Sequence, residues 1–138
     1  MENGENGENG ENGDDPKPIS VLIADDHQLF AEALQAILAR DGRIEVTGQA
    51  HDGYEAVLRA RELRPDVILM DISMPLMDGF EATRRILAER DGARVLMLTG
   101  SNSRLDVDRA RRAGAAGYVT KDRIAAELID AIVELASR

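Results

Sequence analysis

From residue 19 onward the chain alternates between two textures, and this alternation constrains its fold more than any other feature. Short apolar runs rich in branched residues, such as Ile19 to Ala24 and Val67 to Met70, alternate with longer stretches whose apolar residues recur every three or four positions. A continuous apolar run marks a strand covered on both faces, whereas a three-to-four spacing marks one buried face of a helix. Strands are therefore expected near 19–24, 44–50, 66–70, 94–98 and 117–119, and helices near 27–40, 54–63, 80–90, 104–113 and 123–136. Asp41-Gly42, Asp91-Gly92 and Gly114 stand at three expected helix exits, where glycine tolerates the left-handed backbone that ends a helix, and Pro65 closes another.

Five strand–helix units joined by right-handed crossovers predict an α/β domain. The form expected is an open, doubly wound parallel sheet with helices on both faces, a flavodoxin-like (βα)5 arrangement with strand order 2-1-3-4-5. Residues 2–13 are different: four copies of Glu-Asn-Gly with no apolar side chain. Such a segment cannot bury enough surface to offset its ordering entropy, so residues 1–15 are expected to be a disordered tail and residues 16–138 one domain. Of the net charge of −9, residues 1–15 carry −6, which leaves −3 on the domain. That sign is wrong for holding nucleic-acid phosphates unaided. The absence of cysteine excludes disulfides, thiolate nucleophiles and cysteine zinc sites, and fits a reducing cytoplasm. No apolar run approaches the roughly 20 residues of a membrane span, so a soluble cytoplasmic protein is expected, with no membrane association and no direct nucleic-acid binding.

The expected strands end in reactive side chains. The first stops at Asp25 and Asp26, the third at Asp71, the fourth at Thr99 and the fifth at Lys121. In an open parallel sheet the carboxyl ends of adjacent strands line the ligand crevice, so these groups would meet there. They would offer clustered carboxylates to a hard cation, and a hydroxyl and an ammonium group to an anion. That combination points to phosphoryl chemistry at an aspartate. Three crowded carboxylates repel one another, which raises at least one carboxylate pKa in the metal-free site and favours a divalent cation. Oxygen donors select magnesium, with manganese as the alternative, over zinc.

Taken together, these residues resemble the receiver domain of two-component response regulators. The motifs are the acidic pair Asp25-Asp26, Asp71 followed by Met74-Pro75-Leu76-Met77-Asp78-Gly79, Thr99, and Gly117-Tyr118-Val119-Thr120-Lys121. The resemblance spans residues 18–138. Its first-helix segment, Asp25 to Leu38, and its Tyr118 to Lys121 ending are similar to the subfamily commonly joined to a LuxR-type helix-turn-helix domain. With Arg138 as the last residue, either a stand-alone receiver or the regulatory part of a DNA-binding regulator is expected.

The resemblance implies that Asp71 accepts a phosphoryl group from a sensor histidine kinase, forming an acyl phosphate. It implies a Mg2+ site made by Asp25, Asp26, Asp71 and the backbone carbonyl of Ser73, with Asp26 the more direct of the acidic pair. Thr99 and Lys121 would bind the phosphoryl oxygens, and Thr99 with Tyr118 would form a switch pair. Such a protein is a signalling module and not an enzyme; it promotes only its own phosphorylation and dephosphorylation and switches an output or dimer surface. Family members often carry proline after the lysine, but Asp122 stands there in this chain, so no cis bond is implied. Simpler readings make Asp26 an N-cap of the first helix, Lys121 a surface lysine, and Thr99 and Tyr118 ordinary strand residues. Ser73 and Ser101 are small residues flanking the entrance, and Gly100 leaves it open.

Three helices carry further expectations. The fourth has only Leu105, Val107, Ala110 and Ala113 as apolar candidates and should be held loosely. The last has Ile124, Leu128, Ile129, Ile132, Val133 and Leu135, and the first has Leu29, Phe30, Ala33, Leu34, Ile37 and Leu38. Both stripes are wide; mutual packing on one sheet face accounts for much of this, and the remainder is open to two readings, a partner or homodimer surface and a purely structural one. His27 and His51 lack a second histidine or cysteine at ligand spacing, so neither is read as catalytic or as a metal ligand; His27, which follows the acidic pair, is expected to be a rim or first-turn residue. Three competing classes share the fold or the chemistry. A flavodoxin-type redox protein needs a phosphate-cradling first loop, which Asp25 and Asp26 would repel, and a dehalogenase-type hydrolase needs Asp-x-Asp where the acids here are adjacent. A phosphorylation-independent receiver-fold adaptor is the remaining alternative.

Overall fold

The computed structural model describes residues 17–100 and 103–138. The expected tail over residues 1–15 and Ser101 lie outside the described residues. In chain order the elements are β1 (Ile19–Ala24), α1 (Gln28–Ala39), β2 (Ile44–Ala50), α2 (Gly53–Leu63), β3 (Val67–Asp71), α3 (Gly79–Glu89), β4 (Val95–Thr99), α4 (Arg104–Ala113), β5 (Gly117–Thr120) and α5 (Ile124–Ala136). A short 3-10 turn, Lys121–Arg123, leads into α5 and was not anticipated. The five strands form one sheet in the order β2-β1-β3-β4-β5, every neighbouring pair parallel. This is the flavodoxin-like 2-1-3-4-5 order that the sequence predicts.

Side chains alternate across the pleat and sort the apolar runs into two cores. Val21, Ile23, Leu69 and Leu98 pack with Ala31, Leu34 and Leu38 of α1 and with Ile124, Leu128, Ile132 and Leu135 of α5. Leu22, Ala24, Ile68, Met70 and Met97 pack on the other side with Ala56 and Ala60 of α2, Phe80 and Ile86 of α3, and Ala110 and Ala113 of α4. Every residue of β3 is buried, as a central strand requires. Removing Leu69, which is fully buried in it, to alanine should cost about 2–5 kcal/mol. α4 contributes only two buried alanines, so its hold on the sheet is weak, as its composition suggests. Leu29 and Ala33 do not join the α1 stripe; Leu29 is 82% exposed, and Ala31 takes the inner position instead.

Helix ends depart from expectation in instructive ways. Of the three glycine exits only Gly114 is left-handed, at φ 100. α1 leaves through Arg40 in the right-handed region and α3 through Arg90 in extended backbone. The left-handed exit of α2 is Arg64 (φ 46), where Pro65 disfavours another right-handed turn. Asp52, Asp78 and Ser103 cap α2, α3 and α4, each accepting a hydrogen bond from the backbone N–H three residues on. Asp26 does not cap α1. The N-cap position is His27, which makes no side-chain capping bond, and Asp25 Oδ1 accepts the His27 N–H at 2.8 Å. No peptide bond among the described residues is cis, Lys121–Asp122 included. Among the described residues no helix is long and apolar enough to cross a membrane.

Candidate functional site

Strand register assembles the reactive groups. Ala24 pairs with Met70, so the next residues, Asp25 and Asp71, emerge side by side at the carboxyl edge of the two central strands. Asp71 in turn pairs with Leu98, and Thr99 with Thr120, which puts Thr99 beyond Asp71 and Lys121 one step past Thr120. The expected residues Asp25, Asp26, Asp71, Thr99 and Lys121 therefore share one rim, with Tyr118 on the neighbouring edge strand.

The rim is acidic and partly dry. Asp25 and Asp71 are buried, Asp26 is 30% exposed at its side chain, and donor atoms of Asp25, Asp26, His27 and Asp71 all lie within 4.8 Å of one another. Lys121 Nζ reaches Asp71 Oδ1 at 3.3 Å and Asp25 Oδ2 at 3.6 Å. One cation thus faces three carboxylates. Asp25 Oδ2 and Asp71 Oδ2 are buried without a hydrogen-bond partner, an arrangement that costs free energy unless something else satisfies them. Burial, and next the charge of Asp25, push the Asp71 carboxyl above its ordinary range, against the pull of Lys121. This matches the physical expectation for three crowded acids. The buried Asp71 oxygen and the negative charge around it fit a small, hard divalent cation, for which the carboxylates of Asp25, Asp26 and Asp71 are the available donors.

The loop from β3 to α3 closes tightly against Asp71. Gly79 N–H donates to the Ile72 carbonyl at 2.8 Å, and a Cβ on Gly79 would stand 2.2 Å from the Asp71 carbonyl oxygen. Only glycine fits there. Leu76 turns through the left-handed region at φ 69, a conformation costly for a branched side chain, and Met77 N–H bonds the Pro75 carbonyl at 2.7 Å. Ser73 sits exposed on this loop, two residues after Asp71 in the chain. On the other flank Thr99 is buried at the end of β4, whereas Tyr118 is 43% exposed on β5. A groove of about 240 Å³ runs between α4 and β5, lined by Val107, Ala110, Gly117 and Tyr118 among others. A Cβ on Gly100 would meet nothing within 4 Å.

Two neighbours of the site go beyond the sequence reading: His27, expected only as a rim or first-turn residue, and Phe30, placed only in the apolar stripe of the first helix. His27 joins the acids, with Nδ1 3.3 Å from Asp26 Oδ1 and 3.5 Å from Asp25 Oδ1. The Phe30 ring lies 4.4 Å from Lys121 Nζ, a cation–π contact that steadies the ammonium group from α1. Adjacency of His27 to the acidic pair was a usable signal for the first. Nothing local in the sequence links Phe30 to Lys121.

Residues 21–133 match the model of the response regulator receiver domain. The chain belongs to the response regulator receiver family. The GacA response regulator of Pseudomonas viridiflava is 42% identical to this receiver over 114 residues, 83% of the chain and 53% of the relative. The chain thus spans about half the length of the curated relatives it matches. The crystal structure of a LuxR-family two-component response regulator from Aurantimonas superposes with a TM-score of 0.83 at 36% identity, covering 88% of each chain. A chain from the CheX–CheY–BeF3–Mg2+ complex of Borrelia burgdorferi superposes at 0.80 and 27% identity, covering 86% of this receiver and 90% of that chain. Receiver domains are signalling modules of two-component systems, and among the relatives of this one are LuxR-type transcription regulators.

Proposed function

We propose that this receiver is switched by phosphorylation of Asp71. The observation that carries the reading is Asp71 itself: a buried carboxylate with one oxygen unpartnered and the other 3.3 Å from Lys121, crowded by a second buried acid. A fold keeps so costly a group where a ligand repays it. Asp25, Asp26, Asp71 and the Ser73 backbone carbonyl would hold Mg2+, or Mn2+ in its place. The cation neutralises charge on the oxygens of the transferring phosphoryl group. That a similar chain was crystallised in a complex with BeF3 and Mg2+ supports this assignment.

In the proposed reaction an unpartnered Asp71 oxygen attacks the phosphorus of a phosphohistidine on a sensor kinase. The P–N bond breaks as the P–O bond forms. Lys121 offers positive charge and Thr99 a hydroxyl to the phosphoryl oxygens. The same chemistry with water reverses the state, so the domain promotes only its own phosphorylation and dephosphorylation. Drawing Thr99 toward the phosphoryl group leaves room beside it for Tyr118 to turn inward from its exposed position, and α4, with two buried alanines, yields readily. The output would be a dimer surface or a DNA-binding domain joined after residue 138, in a cytoplasmic protein. The Glu-Asn-Gly segment would be a tail outside the domain of residues 16–138.

Incubation with acetyl phosphate and magnesium should add one phosphoryl group to the intact mass of the wild type and none to Asp71→Asn. Equal labelling of Asp71→Asn would remove Asp71 as the acceptor. A wild type that takes no phosphoryl group would leave the phosphorylation-independent adaptor as the reading.

A further inference from the structure

The acids of this site imply oxygen ligands only, but the fold adds a nitrogen. His27 Nδ1 stands 3.3 Å from Asp26 Oδ1 and 3.5 Å from Asp25 Oδ1. Two donors bound tetrahedrally to one small cation at about 2.0–2.2 Å lie about 3.3–3.6 Å apart, the spacing seen here. The His27 side chain is not otherwise engaged as a cap, because it makes no capping bond at the start of α1. Its backbone is fixed at the rim by the 2.8 Å bond from its N–H to Asp25 Oδ1. Independently, Asp25 Oδ2 and Asp71 Oδ2 are buried, lack hydrogen-bond partners, and belong to the same cluster.

We propose that His27 gives this site a second metal chemistry, as a nitrogen ligand for zinc or another late first-row divalent cation, alongside the carboxylates of Asp25, Asp26 and Asp71. The inference rests on reading the acidic cluster as a cation site. Imidazole suits zinc, cobalt(II) and nickel, whereas magnesium takes oxygen ligands and retains water. The nearby Lys121 ammonium opposes any divalent cation equally, so it does not discriminate between the two metals. His27 with Asp25 and Asp26 would give zinc ligands drawn from the same cluster that magnesium would use, so zinc would compete with magnesium there.

Calorimetric titration of wild type, His27→Ala and His27→Gln with zinc and, separately, with magnesium tests this. His27 is 69% exposed, so both variants should fold, and far-ultraviolet circular dichroism checks that they do. Both variants should bind zinc at least about tenfold more weakly and magnesium within about twofold of wild type. Cobalt(II) should give strong tetrahedral visible bands in wild type that fade in both variants. Zinc affinity unchanged by either substitution, or zinc and magnesium affinities falling in parallel, would overturn the role of His27 while leaving the magnesium site standing. Failure of the wild type to bind either metal would remove the cation site, and this inference with it.

Discussion

Replacing Asp71 with asparagine should stabilise the metal-free protein, although it deletes a group that pairs with lysine. The attraction to Lys121 Nζ at 3.3 Å is worth about 5 kcal/mol at an effective dielectric near 20. Against it stand Asp25, within 4.8 Å and opposing by at least about 3.5 kcal/mol, and Asp26, whose contribution is screened by its 30% exposure. The charge terms nearly cancel. What remains is the buried Oδ2 without a partner, which costs about 1–3 kcal/mol. An amide keeps the shape, carries no charge, and brings N–H donors toward Asp25, so Asp71→Asn should gain about 1–3 kcal/mol in urea unfolding with chelator present.

The pH dependence carries its own sign. Burial, then Asp25, hold the Asp71 carboxyl above its ordinary 3.8, so between 3.8 and the higher folded value the native state binds a proton that the unfolded chain releases. Wild-type stability from this group is greatest below 3.8 and is lost as pH rises through the folded value. The advantage of Asp71→Asn should therefore be full at neutral pH and shrink as pH falls through that window. Saturating magnesium should reverse the ranking, because it stabilises the form that binds it. An Asp71→Asn protein no more stable than wild type in chelator at neutral pH, or an advantage independent of pH, would refute the account of an uncompensated buried carboxylate.

Asp26→Asn should weaken magnesium binding and slow phosphorylation by acetyl phosphate at least about tenfold while leaving the fold intact, measured by calorimetry and intact mass. Thr99→Ala should abolish the change in amide exchange over residues 103–114 that beryllofluoride induces in the magnesium-loaded wild type; an equal change in both proteins would sink the switch. Gly79→Ala should destabilise by at least about 2–3 kcal/mol in urea, because its Cβ would stand 2.2 Å from the Asp71 carbonyl oxygen and the backbone there would have to move.

The architecture and the composition of the rim are legible in the residues alone. Short apolar runs such as Val67 to Met70, bounded by turn residues, read as strands covered on both faces, and four of the five strands carry their chemistry at the carboxyl end, so parallel pairing brings Asp25, Asp71, Thr99 and Lys121 to one edge. These are periodic or strand-terminal signals, readable within a few residues. Features that depend on distance between segments far apart in the chain came from the fold. It set which carboxylate oxygens are buried without partners, the sharing of Lys121 between Asp71 and Asp25, the Phe30 ring beside that lysine, and the meeting of His27 with the acids. It also ended α1 and α3 without a left-handed glycine, gave α2 a left-handed exit at Arg64, and made the close approach of Gly79 to Asp71 visible. Glycine in a sequence signals that a tight backbone is permitted; only packing against the neighbouring strand determines where it is required.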